Sequence, residues 1–184
     1  MKKIVAFIGS PRKVGNTAAL VGEILRGAKA AGAEAKIFDL YAMNFKPCQG
    51  CFTCRQITAC SQKDDMETAY DAIKNADAVV IGSPVYMHQV TGQTKNFFDR
   101  LFPFVDAQFQ PRFGVKNTVM VYAQGNPDPG TFAAAFADNA SFLAIGGLKV
   151  VDTIVAAGAN DLHAAAGDKA LMAKAFAAGQ NLVQ

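Results

Sequence analysis

The stretch Gly9-Ser10-Pro11-Arg12-Lys13-Val14-Gly15-Asn16-Thr17 lies between a short apolar run and an amphipathic segment, and its reading decides the fold. Before it, Ile4-Val5-Ala6-Phe7-Ile8 is continuous, β-branched and aromatic, as a strand buried on both faces of a parallel sheet is. After it, from Thr17 onward, Leu20, Val21, Ile24, Leu25 and Ala28 recur at helical spacing and Gly32 supplies a stop. A loop between the end of a strand and the start of a helix offers unpaired N–H groups and the positive end of a helix dipole. Here it adds the hydroxyls of Ser10 and Thr17 and the charge of Arg12. It reads as a phosphate cradle, against the plainer alternative of an ordinary strand-to-helix turn.

Spacing narrows the phosphate. Five residues separate Gly9 from Gly15 and Asn-Thr follows, so the loop matches neither G-x-x-x-x-G-K-[ST] nor G-x-G-x-x-G. There is no lysine for the β/γ-phosphates of a triphosphate and no close-approach glycine pair for a dinucleotide. A loop rich in side chains suits one terminal phosphate, as on a mononucleotide such as FMN.

At 184 residues and 51% hydrophobic, the chain is read as one domain, residues 1–184, with a sizeable core. Its 18 basic and 15 acidic residues are spread along the sequence without a basic stripe or interleaved aromatics, so no nucleic-acid partner is expected. No apolar run reaches the length of a membrane span, and the run after Met1-Lys2-Lys3 is too short for a signal segment. A soluble cytoplasmic protein with reduced cysteines is expected, with no membrane partner.

Further along, Ala35–Leu40 reads as a polar edge strand, and residues 41–63 form a long irregular loop holding all four cysteines. Asp64 with Glu67 reads as a capping box opening a helix to about Asn75. Ala78–Ile81 is a third strand, running into a loop at 82–88. Thr91 or Thr94 then opens a helix closed by Pro103, and residues 103–114 carry no assignment. Thr118–Tyr122 is a fourth strand, ending at Gln124-Gly125-Asn126. A helix follows with Asp128 as N-cap and Pro129 at its first position, ended by Gly146 and Gly147. Val150–Val155 is a fifth, edge strand, and a last helix runs from about Asp161 or Gly167 towards Leu182. Right-handed crossovers with apolar central strands predict a flavodoxin-like three-layer α/β/α sandwich, its five-stranded parallel sheet ordered 2-1-3-4-5. The switch point of that order lies between strands one and three, so the loops at 9–17, 82–88 and 124–126 converge on one crevice.

Gly-Ser-Pro-Arg-x-x-Gly-Asn-Thr, Gly-Ser-Pro-Val-Tyr at 82–86 and Lys95-x-x-x-Asp99-Arg100 together resemble the NADPH-dependent FMN reductase-like family over nearly the whole chain. The resemblance implies that Ser10, Arg12, Asn16 and Thr17 hold the FMN phosphate. It puts Ser83, Pro84, Val85, Tyr86 and Met87 against the isoalloxazine ring and Gln124, Gly125 and Asn126 at its pyrimidine side, with the Gly125 N–H as a tuner of potential. Core packing is the plainer reading of Tyr86 and Met87; their position after Ser83-Pro84 favours exposure. His88 is read as a solvated loop residue rather than a donor to the ring, His163 has no role, and Asp99-Arg100 are read as structural ion pairs or a subunit contact.

Cys48, Cys51, Cys54 and Cys60 give C-x2-C-x2-C-x5-C, which within this family is similar to the iron-sulfur flavoproteins, where four such thiolates hold a [4Fe–4S] cluster. Zinc, a disulfide or redox pair, and free thiols stay open as alternatives. The resemblance implies an FMN-dependent oxidoreductase with no catalytic side chain of its own. Ferredoxin would be its donor if the cluster is present and NAD(P)H if not, with a small-molecule acceptor and a homodimer or homotetramer as the assembly. The rival readings are a non-catalytic flavodoxin-like electron carrier and a zinc-stapled binding module.

Overall fold

In the computed structural model, which describes residues 1–184, the strands are β1 (Lys3–Ile8), β2 (Glu34–Asp39), β3 (Ala78–Tyr86), β4 (Gln89–Val90), β5 (Lys116–Ala123) and β6 (Leu148–Ala156). The helices are α1 (Asn16–Ala30), α2 (Thr53–Gln56), α3 (Met66–Asn75), α4 (Gly92–Asp99), α5 (Ala133–Ile145), α6 (Ala164–Gly167) and α7 (Lys169–Asn181), with a 3₁₀ turn at Phe102–Phe104. The parallel strands lie in the order β2-β1-β3-β5-β6, which is the expected 2-1-3-4-5 once β4 is set aside. That extra strand is a two-residue ribbon folded back antiparallel on the end of β3. No helix is long and apolar enough to cross a membrane.

Alternation along β1 sorts its side chains between two cores. Val5 and Phe7 join the layer under α3, α4 and α5, with Ile73, Phe97, Phe98, Tyr122 and Phe136. Ile4 and Ala6 join the layer under α1 and α7, with Leu20, Ile24, Ala175 and Ala178. The first layer is aromatic: Phe7 stacks on Phe97 at 4.5 Å and Tyr122 on Phe136 at 3.8 Å. The second is built from small residues because its helices touch backbone to backbone. A Cβ on Gly27 would sit 2.0 Å from the Phe176 carbonyl oxygen, and one on Gly179 would sit 1.8 Å from that of Ile24. The alanine-rich C-terminus is therefore a packing surface as well as a helix former.

Several local expectations are corrected. Residues 82–86 are strand rather than loop, because β5 continues beside them and pairs Pro84 with Ala123. The Asp64–Glu67 capping box does not form: Asp64 pairs with Arg100, and Glu67 takes Lys63 at 2.7 Å. Asp128 opens a turn, accepting from the Gly130 N–H at 2.8 Å, and α5 begins only at Ala133. The C-terminal helix is two pieces broken at Asp168, whose carboxylate caps α7 through the Leu171 N–H at 3.0 Å. The helix before Pro103 ends at Asp99, and Pro103 lies in the 3₁₀ turn.

Candidate functional site

The loop after β1 is held open from behind. Gly9 donates its N–H to the Gly82 carbonyl at 2.8 Å, and its own carbonyl accepts from Thr91 Oγ1 at 2.7 Å. Thr91 is the N-cap of α4, accepting from the Thr94 N–H, so the head of α4 is tied to the loop. Glycine is required here because a Cβ would sit 1.7 Å from Thr94 Oγ1. The first backbone bond of α1 runs from the Ala19 N–H to the Gly15 carbonyl at 2.9 Å, which leaves the N–H groups of Asn16, Thr17 and Ala18 without backbone partners. Ser10 Oγ accepts from the Arg12 N–H at 3.2 Å and shapes the turn, while the Arg12 side chain is exposed.

Asn16 is engaged differently from its neighbours. Its Nδ2 donates to the carbonyls of Ala159 and Asp161 at 3.1 and 2.7 Å, and its Oδ1 accepts from the Ala165 N–H at 2.8 Å. With both amide protons and the amide oxygen engaged, the side chain buckles the loop to residues 159–165, and what it presents to the cleft is backbone.

Ser10, Arg12, Asn16, Thr17, Pro84, Val85, Tyr86, Gln124 and Gly125 line one cleft. Its volume is about 120 Å³, room for a phosphate end rather than a whole mononucleotide, and it opens past the half-exposed Tyr86. Three expected residues lie off it. Ser83 is fully buried, its Oγ accepting from the Thr91 N–H at 3.0 Å. Met87 stands 95% exposed at the tip of the β3–β4 turn, where it and His88 take φ values of 46° and 68°. These left-handed conformations are costly for such residues and make this a strained tip beside the cleft. His88 is exposed and packs on Phe132 at 5.0 Å. Asn126 is exposed, its Oδ1 accepting from the Asp128 N–H at 2.9 Å.

Gln124 is the polar anchor of the cleft wall. It is 2% exposed, its Nε2 donates to the carbonyls of Asn126 and Asp128 at 3.2 and 2.7 Å, and its Oε1 is buried with no partner. A buried acceptor without a donor marks a place for a ligand N–H. Beyond it, Asn160 donates from Nδ2 to the Gly125 carbonyl at 3.1 Å, and a Cβ on Gly125 would meet Asn160 Oδ1 at 2.5 Å. The segment after β6 therefore contributes to the cleft through Ala159, with Asn160 backing Gly125. Sequence reasoning missed it; the expected fifth strand, ending where a switch-point sheet places its loops, was the available signal.

The four cysteines line a second cleft, of about 380 Å³, together with Arg100, Phe102 and Phe142. Its loop is latched at both ends. The Arg100 fork meets Asp64 at 2.7 and 3.0 Å, and its Nη1 also donates to the Lys46 carbonyl at 2.6 Å, so one buried guanidinium joins the entry and exit of the loop. Burial pushes the Asp64 carboxyl up, but Arg100 and the N–H groups of Met66 and Lys46 outweigh it and hold the group below the ordinary carboxylate range. Asp99 takes Lys95 at 2.5 Å. Residues 103–114 brace the same loop: the Arg55 guanidinium lies between the rings of Phe102 and Phe109 and donates to the Asp106 carbonyl. Arg112 donates to the Cys54 carbonyl at 3.1 Å.

Cys48 and Cys51 are exposed, Cys54 and Cys60 half-buried, and all are free thiols. Hydrogen bonds from Ser61 and Thr53 lower the Cys51 thiol to about 7, whereas burial and then Cys60 raise that of Cys54. No three cysteines, histidines or carboxylates gather around a point as a single metal ion demands. The four thiols share one cleft with the Arg100 cation in its wall, but they do not converge as a metal-binding group.

A parallel sheet with a strand-to-helix loop at its switch point, and an unpaired buried acceptor just past the end of β5, defines a flavodoxin-like α/β protein. A family model described as NADPH-dependent FMN reductase matches residues 2–163. The chain belongs to that family. Among curated relatives, an iron-sulfur flavoprotein of Archaeoglobus fulgidus is 36% identical over 102 residues, 55% of this chain and 46% of that protein. One of Methanocaldococcus jannaschii is 36% identical over 124 residues, 67% of this chain and 64% of that protein. The chain spans about half the length of the curated relatives it matches. Among solved structures, a NAD(P)H:quinone oxidoreductase from Methanothermobacter marburgensis superposes with a TM-score of 0.78 at 18% identity, covering 100% of this chain and 98% of that one. A flavone reductase gives 0.75 at 22% identity, covering 98% and 61%. At such identities the two structures speak for the fold.

Proposed function

We propose that this chain is an FMN-dependent oxidoreductase of the iron-sulfur flavoprotein type, passing electrons from ferredoxin or NAD(P)H to a small-molecule acceptor. The observation that carries the flavin assignment is the unpartnered Gln124 Oε1 in the wall of the cleft that begins at the N-terminus of α1. FMN, when bound, supplies hydride and single-electron exchange. The residues of the chain bind and orient it. The free N–H groups of Asn16, Thr17 and Ala18, with Thr17 and Arg12, would hold the phosphate. Pro84, Val85 and Tyr86 would cover one face of the ring against water, and Met87 at the strained tip would flank its open edge. Gln124 would accept from a ring N–H, and Gly125, which leaves its backbone uncovered on the cleft side, would meet the pyrimidine edge. Ser83 and Asn126 would act behind them, Ser83 by fixing the head of α4 and Asn126 by shaping the turn to Asp128.

Cys48, Cys51, Cys54 and Cys60 would hold a [4Fe–4S] cluster, which supplies one-electron transfer. Their shared cleft, the buried cation in its wall and the iron-sulfur flavoprotein relatives support this. Ferredoxin as donor and a homodimer or homotetramer belong to the same reading. The wide placement of the thiols favours a second one, an FMN-only NAD(P)H:quinone or flavin reductase with free cysteines. Anaerobic purification, with FMN, iron, acid-labile sulfide and zinc counted per chain, tests both. Four iron and four sulfide support the cluster; FMN alone, with turnover on NAD(P)H, supports the second reading, and failure to bind FMN at all overturns both.

A further inference from the structure

Helix α5 lies on the surface with the composition of a buried helix. Of its 13 residues only Asp138 is charged, whereas α1, α3, α4 and α7 each carry two or three charged residues. Asp138 makes no ion pair. The inner face is fully used: Phe136 and Leu143 enter the aromatic core, and Asn139 Nδ2 donates to Gln89 Oε1 at 3.2 Å and to the Tyr122 hydroxyl at 3.4 Å. The crest of the outer face is Ala134, Asp138, Ser141 and Ile145, with Ala137 on one flank and Phe142 on the other, all exposed. Contiguous apolar surface of this kind marks an association site. At about 1.5 Å per residue the helix offers a face about 20 Å long and about 10 Å wide, only part of the roughly 800 Å² per partner that a stable dimer covers. The apolar ground continues past its end. A crevice between Leu143 and the Phe102–Val105 segment opens beside Phe142, and the exposed Phe52 lies edge-on to Phe102 at 6.3 Å.

From Ala134 the crest advances by four, three and four residues, the spacing with which two helices pack at a shallow angle. That spacing reads the same in both directions about a midpoint between residues 139 and 140. A second copy of α5 laid antiparallel about a two-fold axis at that point sets its Ile145 on Ala134, large on small. It also brings its Ser141 hydroxyl beside Asp138, the one charge in need of a donor. A parallel copy would set Ile145 on Ile145 and bring two Asp138 carboxylates together, which like-charge repulsion opposes. We propose that this face is the contact between two copies of the chain, an isologous interface in which α5 packs antiparallel on α5 about the 139–140 midpoint. This gives the homodimer named above its surface, rests on that reading alone and requires no cofactor to be bound.

The test is sedimentation velocity of the purified full chain over a concentration series, for wild type, A134K, I145E and the double variant A134K/I145E, with far-UV circular dichroism to confirm the fold. Wild type should associate. Each single variant places an unpaired charge in the contact and should weaken association at least about tenfold. The double variant should regain most of that loss, because the new opposite charges face each other across the two-fold axis only in the antiparallel register. If either single variant fails to fold, S141R carries the same test. Single variants that associate as wild type does, or a double variant no tighter than the singles, overturn the proposal and leave the homodimer to another surface or register. A wild type that stays monomeric throughout overturns the homodimer reading as well.

Discussion

Gly9→Ala is the sharpest test of how the first loop is supported. The added methyl would stand 1.7 Å from Thr94 Oγ1, 3.1 Å from Thr94 Cβ and 3.3 Å from Thr91 Oγ1. Thr94 cannot step aside cheaply: it is fully buried, its hydroxyl is bonded to Thr91 at 2.9 Å, and β-branched side chains in helices have few alternative rotamers. Even after rotation its Cβ stays closer than an ordinary contact. Overpacking of this kind costs about 1–3 kcal/mol, and the lost buried hydrogen bond adds about 1 kcal/mol. The expected loss is about 2–4 kcal/mol, less than the whole stability of a typical domain, so the variant folds and can be measured. Urea unfolding of G9A, T94A and the double variant gives the cycle. The double variant should be more stable than the sum of the single changes by at least about 1 kcal/mol, because T94A removes the atom with which the methyl collides. FMN affinity in G9A should fall at least about tenfold as the loop is pushed off the head of α1. Additivity within about 0.5 kcal/mol, or a G9A stability within that range of wild type, would refute the reasoning.

Gln124→Leu removes the buried unpaired acceptor beside the cleft and the donors to Asn126 and Asp128; FMN binding followed by flavin fluorescence should weaken about 10–100-fold, on the order of 1.4–2.8 kcal/mol, and an unchanged Kd would remove Gln124 from the site. Gly179→Ala sets a methyl 1.8 Å from a backbone oxygen that no rotamer can clear, whereas Gly22→Ala meets nothing within 4 Å. Denaturant titration should show a loss of at least about 2 kcal/mol for the first and a gain of about 0.5–1 kcal/mol for the second. For pH, the folded carboxyl of Asp64 lies below its unfolded value, so its contribution is complete above roughly pH 4 and disappears as pH falls through the folded pKa. Limited proteolysis within residues 47–63 should accelerate on acidification below roughly pH 4 in wild type and be fast and insensitive to pH in D64N.

The parallel sheet and its order were legible because apolar runs and crossover chemistry are local signals that the tertiary structure reinforces. Where the reading failed, a distant partner decided. Asp64 looks like a helix cap until Arg100, 36 residues away, is folded against it. Asp128-Pro129 has the residues of a helix start, yet the carbonyls of 126 and 128 are claimed by Gln124 and delay the helix. Nothing in residues 103–114 announces a brace, because its purpose exists only once Arg55 and Arg112 meet Phe109 and Cys54. Most of the cleft-lining residues were readable from loop position alone. Asn16 could be placed at the site but not given its observed hydrogen bonds, which are to residues 159–165, and Ser83, expected at the site, lies behind it bonded to Thr91.

Both candidate cofactor sites are fastened to the same short element. Thr91, the cap of α4, bonds the carbonyl of Gly9 in the first loop. Arg100, at the other end of that helix, joins Lys46 to Asp64 across the cysteine loop. At about 1.5 Å of rise per residue, the two fastenings stand about 13 Å apart along the axis. Phe97 and Phe98, between them, are packed into the aromatic core against Phe7. The separation is thus set by a helix that cannot tilt without unstacking β1, and neither loop needs the other to be in place. Loss of the occupant from the cysteine cleft should therefore leave FMN affinity nearly unchanged, while damage to the Thr91 end should reach the flavin first.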